Sequence, residues 1–238
     1  MIDFSCSYSL AKVENKMRVL SVNVGTVRAI QNGKPSGKTG IFKEPVAASV
    51  YVTAVGLVGD AICDTENHGG VDQAVYVYGA KDYAWWEHSL GQPLVPGTFG
   101  ENLTISDLES GQLFVGDQFR IGEIVLEVTA PRIPCVTLAA RMQDKTFLKK
   151  FRAAERPGVY CRVLQEGHVS AGDSVAYQSY SGDRISVLEM FREFFEPDHS
   201  EATLNRYLNA PIAIRDRQYK EKLLRETRST QTDKKPGY

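Results

Sequence analysis

Residues 118–135 read QFRIGEIVLEVTAPRIPC, and this stretch decides how the chain folds. Apolar and polar residues alternate on both sides of Gly122 and Glu123, as in two strands joined by a tight turn. Two prolines then bracket Arg132 and lead to Cys135. Because proline restricts the backbone, the junction holds a cation and a thiol in place directly after a strand. The sequence therefore predicts a β-hairpin followed by a conformationally restricted segment that carries a cation and a thiol.

The same alternation recurs along the first three quarters of the chain. Predicted strands cover residues 18–24, 48–55, 75–78, 118–121, 124–128, 159–164 and 174–177. In the first of these, Leu20, Val22 and Val24 share one face and are expected to be buried. Gly-Asp pairs recur beside the strands, at residues 59–60, 116–117 and 172–173. Recurring turns of this kind suit a closed or barrel-like sheet. Two helices are predicted between the strands, at residues 82–90 and 138–151.

The pattern changes to helical spacing near residue 180, where Val187, Leu188 and Phe191 begin an apolar stripe. Two further helices are predicted, one starting at residues 198–200 and one over 214–228. The predicted organisation is mixed α/β and strand-rich, with a small helical domain behind the strands. Its parts are an N-terminal extension (1–16), a strand-rich domain (17–178), a three-helix domain (179–228) and a disordered tail (229–238).

The composition is that of an ordinary globular protein, with 42% hydrophobic and 24% charged residues among 238. The formal net charge of −1 gives no overall attraction to nucleic acid polymers or anionic lipid, so neither is expected as a partner. No apolar run approaches the roughly 20 residues of a membrane span, and the first residues lack a secretory pattern. A cytoplasmic protein with reduced thiols is expected, because the four cysteines form no C-x-x-C pair.

Residues 33–39, GKPSGKT, invite comparison with a phosphate-binding loop. The spacing does not fit, because Asn32 stands where that motif needs glycine and Pro35 removes a backbone amide. A polar turn is favoured. Neither G-x-G-x-x-G nor H-E-x-x-H occurs in the chain, so nicotinamide and zinc-protease functions have no support.

Two other polar segments carry candidate binding residues. Residues 67–72, NHGGVD, contain two adjacent glycines whose amides are open to an anion, although a surface turn is the favoured explanation of this segment taken alone. Residues 97–103, GTFGENL, place polar side chains just before a strand, where binding residues often collect; a capped turn is the alternative.

Cys135 is the candidate reactive thiol. A cysteine at a helix N-terminus beside a cation has its thiolate favoured, and a thiolate ligates soft metals. The alternative for an isolated cysteine is buried packing, and Cys63 and Cys161 fit that interpretation better.

Five short segments together resemble a known family. In order they are GLVGD (56–60), HGGVD (68–72), FGENL (99–103), PRIPC (131–135) and GVYCRV (158–163). Their order is similar to that of the MOSC domain, over about residues 17–178. The helical tail resembles the three-helix domain that follows the MOSC domain in the YiiM-type subfamily.

The resemblance implies a MOSC-type β-barrel that holds a molybdenum cofactor (molybdopterin), with tungsten as the alternative metal and no pyridoxal phosphate. Cys135 would be the catalytic residue and the metal's protein ligand. The implied cofactor pocket comprises His68, Gly69, Gly70, Thr98, Phe99, Gly100, Glu101, Asn102 and Arg132. Further anion partners would be Lys43, Arg141 and Arg162.

The implied activity is reduction of small N-hydroxylated compounds such as 6-N-hydroxylaminopurine and amidoximes. An external flavin-type reductase is expected as the electron donor, because the chain shows no flavin, haem or iron–sulfur motif. The alternative is a carrier of the molybdenum cofactor, or of persulfide sulfur on Cys135, that does not turn over. Turnover of hydroxylaminopurine with a reductant distinguishes the two.

Overall fold

A computed structural model describes residues 17–65 and 68–232. In chain order the strands are β1 (Val19–Gly25), β2 (Arg28–Ala29), β3 (Lys38–Thr39), β4 (Lys43–Pro45), β5 (Val50–Thr53), β6 (Gly56–Leu57), β7 (Val75–Gly79), β8 (Leu103–Ile105), β9 (Gln118–Ile121), β10 (Ile124–Pro131), β11 (Val159–Gln165), β12 (Gly167–Val169) and β13 (Val175–Gln178). The α-helices are α1 (Ala80–Leu90), α2 (Val136–Arg141), α3 (Phe147–Ala154), α4 (Val187–Phe195), α5 (Glu201–Asn209) and α6 (Ile214–Thr232). The mixed, strand-rich class is confirmed.

Eight strands form the main sheet in the order β13-β9-β10-β11-β7-β8-β1-β4. Its neighbours are antiparallel except β7 and β8, which are parallel. An isolated bridge joins Arg18 to Ser174, but it does not extend into a ladder between β1 and β13. The closed barrel expected from the turns is therefore wrong for the described strands, because β13 and β4 remain the two edges of an open order.

The hairpin of β9 and β10 is confirmed, with Ile121 opposite Ile124 and Gly122 at φ 56° in the turn. Since β10 also pairs with β11, its end at Pro131 lies inside the sheet and not at an edge. The apolar faces around it are buried, with Leu126 and Val128 inaccessible to solvent. The proline-bracketed exit thus starts from one of the best-anchored strands of the fold.

The burial expected for β1 is wrong at Leu20, which is 51% exposed. A register shift between Val19 and Ser21, where β1 pairs with β8, interrupts the alternation. As a result Ser21 and Asn23 turn inward, and their side chains are hydrogen-bonded to each other at 2.6 Å. The bulge therefore buries two polar side chains of β1 and exposes Leu20, which the simple alternation predicts to be buried.

The single helix predicted over residues 138–151 is two helices, α2 and α3. Between them Gln143 adopts a left-handed conformation at φ 53°. The Asp144 carboxylate then accepts hydrogen bonds from the backbone and hydroxyl of Thr146, each at 2.7 Å. This local turn satisfies amides at the start of α3 and ends the helical run early.

The C-terminal helices pack on the sheet. Ser186 and Ser200 cap α4 and α5 through their hydroxyls, as expected for helix N-termini. The apolar residues shared between the strand domain and these helices are Val115, Ala130, Ile185, Met190, Tyr207, Ala210 and Ile212. At the start of α6 the Asp72 carboxylate accepts a hydrogen bond of 2.5 Å from the Ile214 amide.

The predicted extension (1–16) lies outside the described residues, as does the end of the predicted tail, residues 233–238. Helix α6 continues to Thr232, past the predicted helix end at residue 228. Within the described ranges, no helix combines the length and the apolar composition needed to cross a membrane.

Candidate functional site

An open cavity lies where three segments of the chain meet. One wall is the β2–β3 hairpin with its loop, one is the loop at residues 60–64, and one is the junction between β10 and α2. Of the residues predicted for the site, the cavity is lined by Lys43, His68, Gly100, Asn102, Arg132 and Cys135. These residues are distant in sequence, so the tertiary fold brings them together.

Cys135 is the N-cap residue of α2 and is half-buried. Burial by itself disfavours its thiolate. A hydrogen bond from His68 and the charge of Arg132 outweigh that effect, and with the Leu138 amide they lower the pKa of Cys135 to about 6. At neutral pH the thiol is therefore mostly ionised, which is the form that binds metals and reacts as a nucleophile.

Arg132 is a buried cation, only 4% exposed, in the cavity wall. It donates a hydrogen bond to the Phe99 carbonyl, and its guanidinium lies 5.1 Å from the centre of the Tyr76 ring. In the described part of the chain it forms no ion pair with a carboxylate, and its Nε has no hydrogen-bond partner. Because an isolated buried charge is costly, the Cys135 thiolate and an anionic ligand are its natural partners.

His68 connects Cys135 to the opposite strand. Its Nδ1 lies 3.1 Å from the hydroxyl of Tyr160 in β11, and the imidazole is hydrogen-bonded to Cys135. These two contacts hold the imidazole between Tyr160 and the Cys135 thiol.

Lys43, Asp60 and Asn102 form a buried network on the next wall. The Asp60 carboxylate accepts hydrogen bonds from the Lys43 ammonium, from the Asn102 side-chain amide at 2.9 Å and from the Gly25 amide at 2.7 Å. Desolvation lowers the pKa of Lys43, and the charge of Asp60 opposes that shift. The network fixes Asn102 toward the cavity and holds a cation beside it.

The loop at residues 97–103 supports the cavity more than it lines it. Phe99 is fully buried and stacks on Tyr78 at 4.5 Å, while the Thr98 hydroxyl donates to the Val95 carbonyl at 2.6 Å. Glu101 is also buried; desolvation raises its pKa although Tyr83 donates to its carboxylate at 2.6 Å. These three predicted pocket residues do not line the cavity and instead hold the loop against β7 and α1.

Four other predicted residues lie away from the cavity lining. Gly69 is buried against Thr65, and Gly70, at φ 90°, begins a 3-10 turn. The Arg141 guanidinium lies 4.7 Å from the centre of the Phe42 ring. Arg162 pairs with Asp72 at 3.0 Å and donates to two carbonyls just before α6.

Sequence reasoning missed several groups that the cavity contains. Lys34, Ser36 and Lys38 of the GKPSGKT segment line it, as does Tyr160. The packing interpretation of Cys63 is wrong, since it is exposed and also lines the cavity. The two lysines of residues 33–39 could have indicated an anion-binding role for this segment, because clustered cationic side chains attract anions.

The lining suits an anionic ligand that carries hydrogen-bond donors. The Nε of Arg132 is an unsatisfied donor, and the Oε1 of Gln73 is a buried acceptor without a partner among the described residues. In the described ranges no group of three or more His, Cys, Asp or Glu could hold a metal ion. Cys135 offers a soft thiolate ligand, with Cys63 as a second thiol in the lining, and the surrounding cations and hydrogen-bonding groups fit a phosphate-bearing ring system such as a molybdenum–pterin cofactor.

Comparisons with known proteins identify the family of the chain. The sequence profile of the MOSC domain matches residues 64–176. The uncharacterized protein YflK of Bacillus subtilis is 38% identical over 73% of this chain and 79% of its own. The protein YiiM of Escherichia coli is 31% identical over 64% of this chain and 68% of its own.

A protein of Gibberella moniliformis named "Reductase" is 29% identical over 73% of this chain, which covers 31% of that longer protein. Among solved structures, YiiM from Geobacillus stearothermophilus superposes with a TM-score of 0.72 at 27% identity, covering 87% of this chain and 99% of that one. On these matches, the chain belongs to the MOSC-domain family.

Proposed function

We propose that this protein is a molybdenum-dependent oxidoreductase that reduces N-hydroxylated compounds, with Cys135 as the protein ligand of the metal. One observation carries the proposal: a thiol with a lowered pKa lies beside a buried cation that forms no ion pair with a described carboxylate, and both line one open cavity. MOSC domains are generally associated with the molybdenum cofactor, and a relative named "Reductase" supports an oxidoreductase.

Different residues of the cavity would bind different parts of the cofactor. Cys135 would hold the metal, because a thiolate is a strong ligand for soft, high-valent metals. Arg132 and Lys43 would neutralise the anionic charge of the cofactor, and Asn102 would hydrogen-bond its ring. When bound, the molybdenum–pterin group supplies the two-electron reduction.

Protons and electrons must also reach the substrate. Converting an N–OH group to N–H and water consumes two electrons and two protons. His68 and Tyr160 place exchangeable protons beside Cys135. We propose that the electrons come from an external donor of the flavin-reductase type.

The experiment is expression in a host that makes the cofactor, followed by anaerobic purification. We expect about one molybdenum per chain, pterin fluorescence, and turnover of 6-N-hydroxylaminopurine with an artificial reductant. Protein that carries neither metal nor pterin would refute the proposal. A fully loaded protein without turnover on N-hydroxylated bases or amidoximes would instead favour the carrier function.

A further inference from the structure

We propose that the β2–β3 hairpin, through its loop (residues 30–37) and Lys38 at the start of β3, forms a phosphate-ester subsite at the mouth of the cavity, so that the substrates include N-hydroxylated nucleotides. The inference rests on the proposed function, whose substrates as free bases carry no phosphate. It assigns a role to the GKPSGKT segment, which the cofactor pocket implied by the resemblance leaves unused.

The hairpin is held in a defined shape. The Ile30 amide donates to the Gly37 carbonyl at 2.9 Å, and the Gly37 amide donates to the Lys34 carbonyl at 3.0 Å. Gly37 has φ 62°, a conformation that favours glycine. Around this one turn, Lys34, Ser36 and Lys38 line the cavity.

Contacts of two adjacent residues place the tip of the hairpin between two walls of the cavity. Gly33 lies close to the hydroxyl of Thr137, two residues after Cys135. Its neighbour Lys34 is ion-paired with Asp64 of the facing loop. The tip therefore forms part of the rim, between the Cys135 wall and the loop at residues 60–64.

The charge of the lining is unbalanced in favour of cations. Its basic side chains are Lys34, Lys38, Lys43 and Arg132, and its carboxylates are Asp60 and Asp64. Two of the lysines are already paired with these carboxylates. For Lys38, no ion pair is formed with any described residue.

Depth separates two cationic regions of the cavity. Arg132 and Lys43 are buried, at 4% and 8% exposure, and lie at the floor. Lys38 and Ser36 are exposed at the mouth. A ligand that approaches the floor with an uncharged N-hydroxylated base would leave a phosphate at the mouth, where a lysine and a hydroxyl can bind it without dehydrating it fully.

A phosphate ester at this position could belong either to a nucleotide substrate or to the cofactor itself. The experiment therefore measures both substrate preference and cofactor content. Loaded wild-type protein, Lys38→Ala, Ser36→Ala and the control Lys81→Ala are compared; Lys81 is an exposed lysine of α1 that does not line the cavity. For each, kcat/KM is measured with 6-N-hydroxylaminopurine riboside and with its 5′-monophosphate, together with molybdenum and pterin content.

We expect wild type and Lys81→Ala to prefer the monophosphate, and Lys38→Ala to reduce that preference by roughly tenfold, with a smaller loss in Ser36→Ala. This result, with unchanged pterin content, identifies the substrate as the source of the phosphate. Loss of pterin in Lys38→Ala would support the subsite but assign it to the cofactor. If neither the preference nor the pterin content responds to Lys38, the proposal is overturned.

Binding of adenosine 5′-monophosphate to the same loaded proteins, measured by calorimetry, makes the two proposals separable. Binding that weakens in Lys38→Ala without any turnover would support the subsite while the reductase function fails. Turnover of the riboside without such binding, without a monophosphate preference and with pterin content unaffected by Lys38→Ala, would overturn the subsite and leave the reductase function standing.

Discussion

Cys135 and Cys161 carry the same thiol in opposite surroundings. Cys161 lies in β11, fully buried in the hydrophobic core, where desolvation and the charge of Glu127 raise its pKa. Cys135 lies at the exit of β10, where His68 and Arg132 outweigh burial and lower its pKa to about 6. Tyr160 adjoins Cys161 in sequence but faces the other side of the sheet, where its hydroxyl is 3.1 Å from His68.

The difference shows that partial burial alone does not make a thiol inert. Desolvation disfavours the thiolate at both positions. Only at Cys135 do a cation and a hydrogen-bond donor reverse the direction. The neighbours supplied by the fold therefore decide which cysteine is reactive.

Replacing each of the two cysteines in turn should give the largest difference in turnover between the two regions. We expect Cys135→Ser to reduce turnover to background, because a hydroxyl is a poor ligand for a soft metal, while Cys161→Ser keeps most of its activity. Turnover, metal content and thermal stability should be measured together for both variants. Wild-type turnover of a fully metal-loaded Cys135→Ser protein would show that thiolate ligation is wrong.

Arg132 provides the second contrast, because among the described residues no cation lowers the pKa of Cys161. Arg132→Gln should lower cofactor retention by roughly 10- to 100-fold, the usual effect of removing a group that supports a metal ligand. Its control is Arg120→Gln, an exposed position on β9. Molybdenum content after gel filtration is the measurement, and equal retention in the two variants would contradict a role for the buried charge.

Replacing His68 should make the Cys135 thiol less acidic and less reactive, and so more like the Cys161 thiol. In metal-free protein, His68→Ala is expected to raise the pKa of Cys135 and to slow its alkylation by iodoacetamide several-fold at pH 6.5. The pH profile of alkylation, followed by mass spectrometry of the Cys135 peptide, measures this. Tyr160→Phe, which removes only the hydroxyl near His68, should give a smaller shift.

The sign of the stability effect follows from the lowered pKa. The thiol pKa of Cys135 falls from 9.0 to about 6 on folding. Its ionisation therefore stabilises the metal-free fold fully above about pH 9, and that contribution is lost as the pH falls through 6. A metal-free wild type whose stability relative to His68→Ala does not decline in this window would contradict the assignment.

Cys161→Ala should have the smallest effect. Removing one buried sulfur is expected to lower the free energy of unfolding by about 1 kcal/mol without affecting turnover. Cys161→Ser should be less stable than Cys161→Ala, because it buries a hydroxyl in an apolar cluster. Denaturant titration ranks the stability of wild type and the two variants. A Cys161→Ala protein that is folded but inactive would show that the reactive thiol is Cys161 and not Cys135.

Local patterns predicted the parts of the fold that depend on adjacent residues. The β9–β10 hairpin follows from its alternation and its glycine turn, and the start of α2 follows from the proline-bracketed junction before Cys135. Leu20 was misplaced because a bulge depends on the register with β8, a strand more than 80 residues away. The break between α2 and α3 depends on the left-handed Gln143 and on the hydrogen bonds that Thr146 donates to Asp144, which helical periodicity does not reveal.

The sequence by itself determined the thiol, the cation three residues before it, the strand that precedes both, and the family motifs. Only the tertiary structure decided what surrounds that thiol. His68 and Tyr160 are 92 residues apart, and the lysine-rich hairpin lies about as far from Cys135 on its N-terminal side. Such contacts depend on the order of strands in the sheet, and local alternation, which specifies a strand's two faces, carries no information about its neighbours.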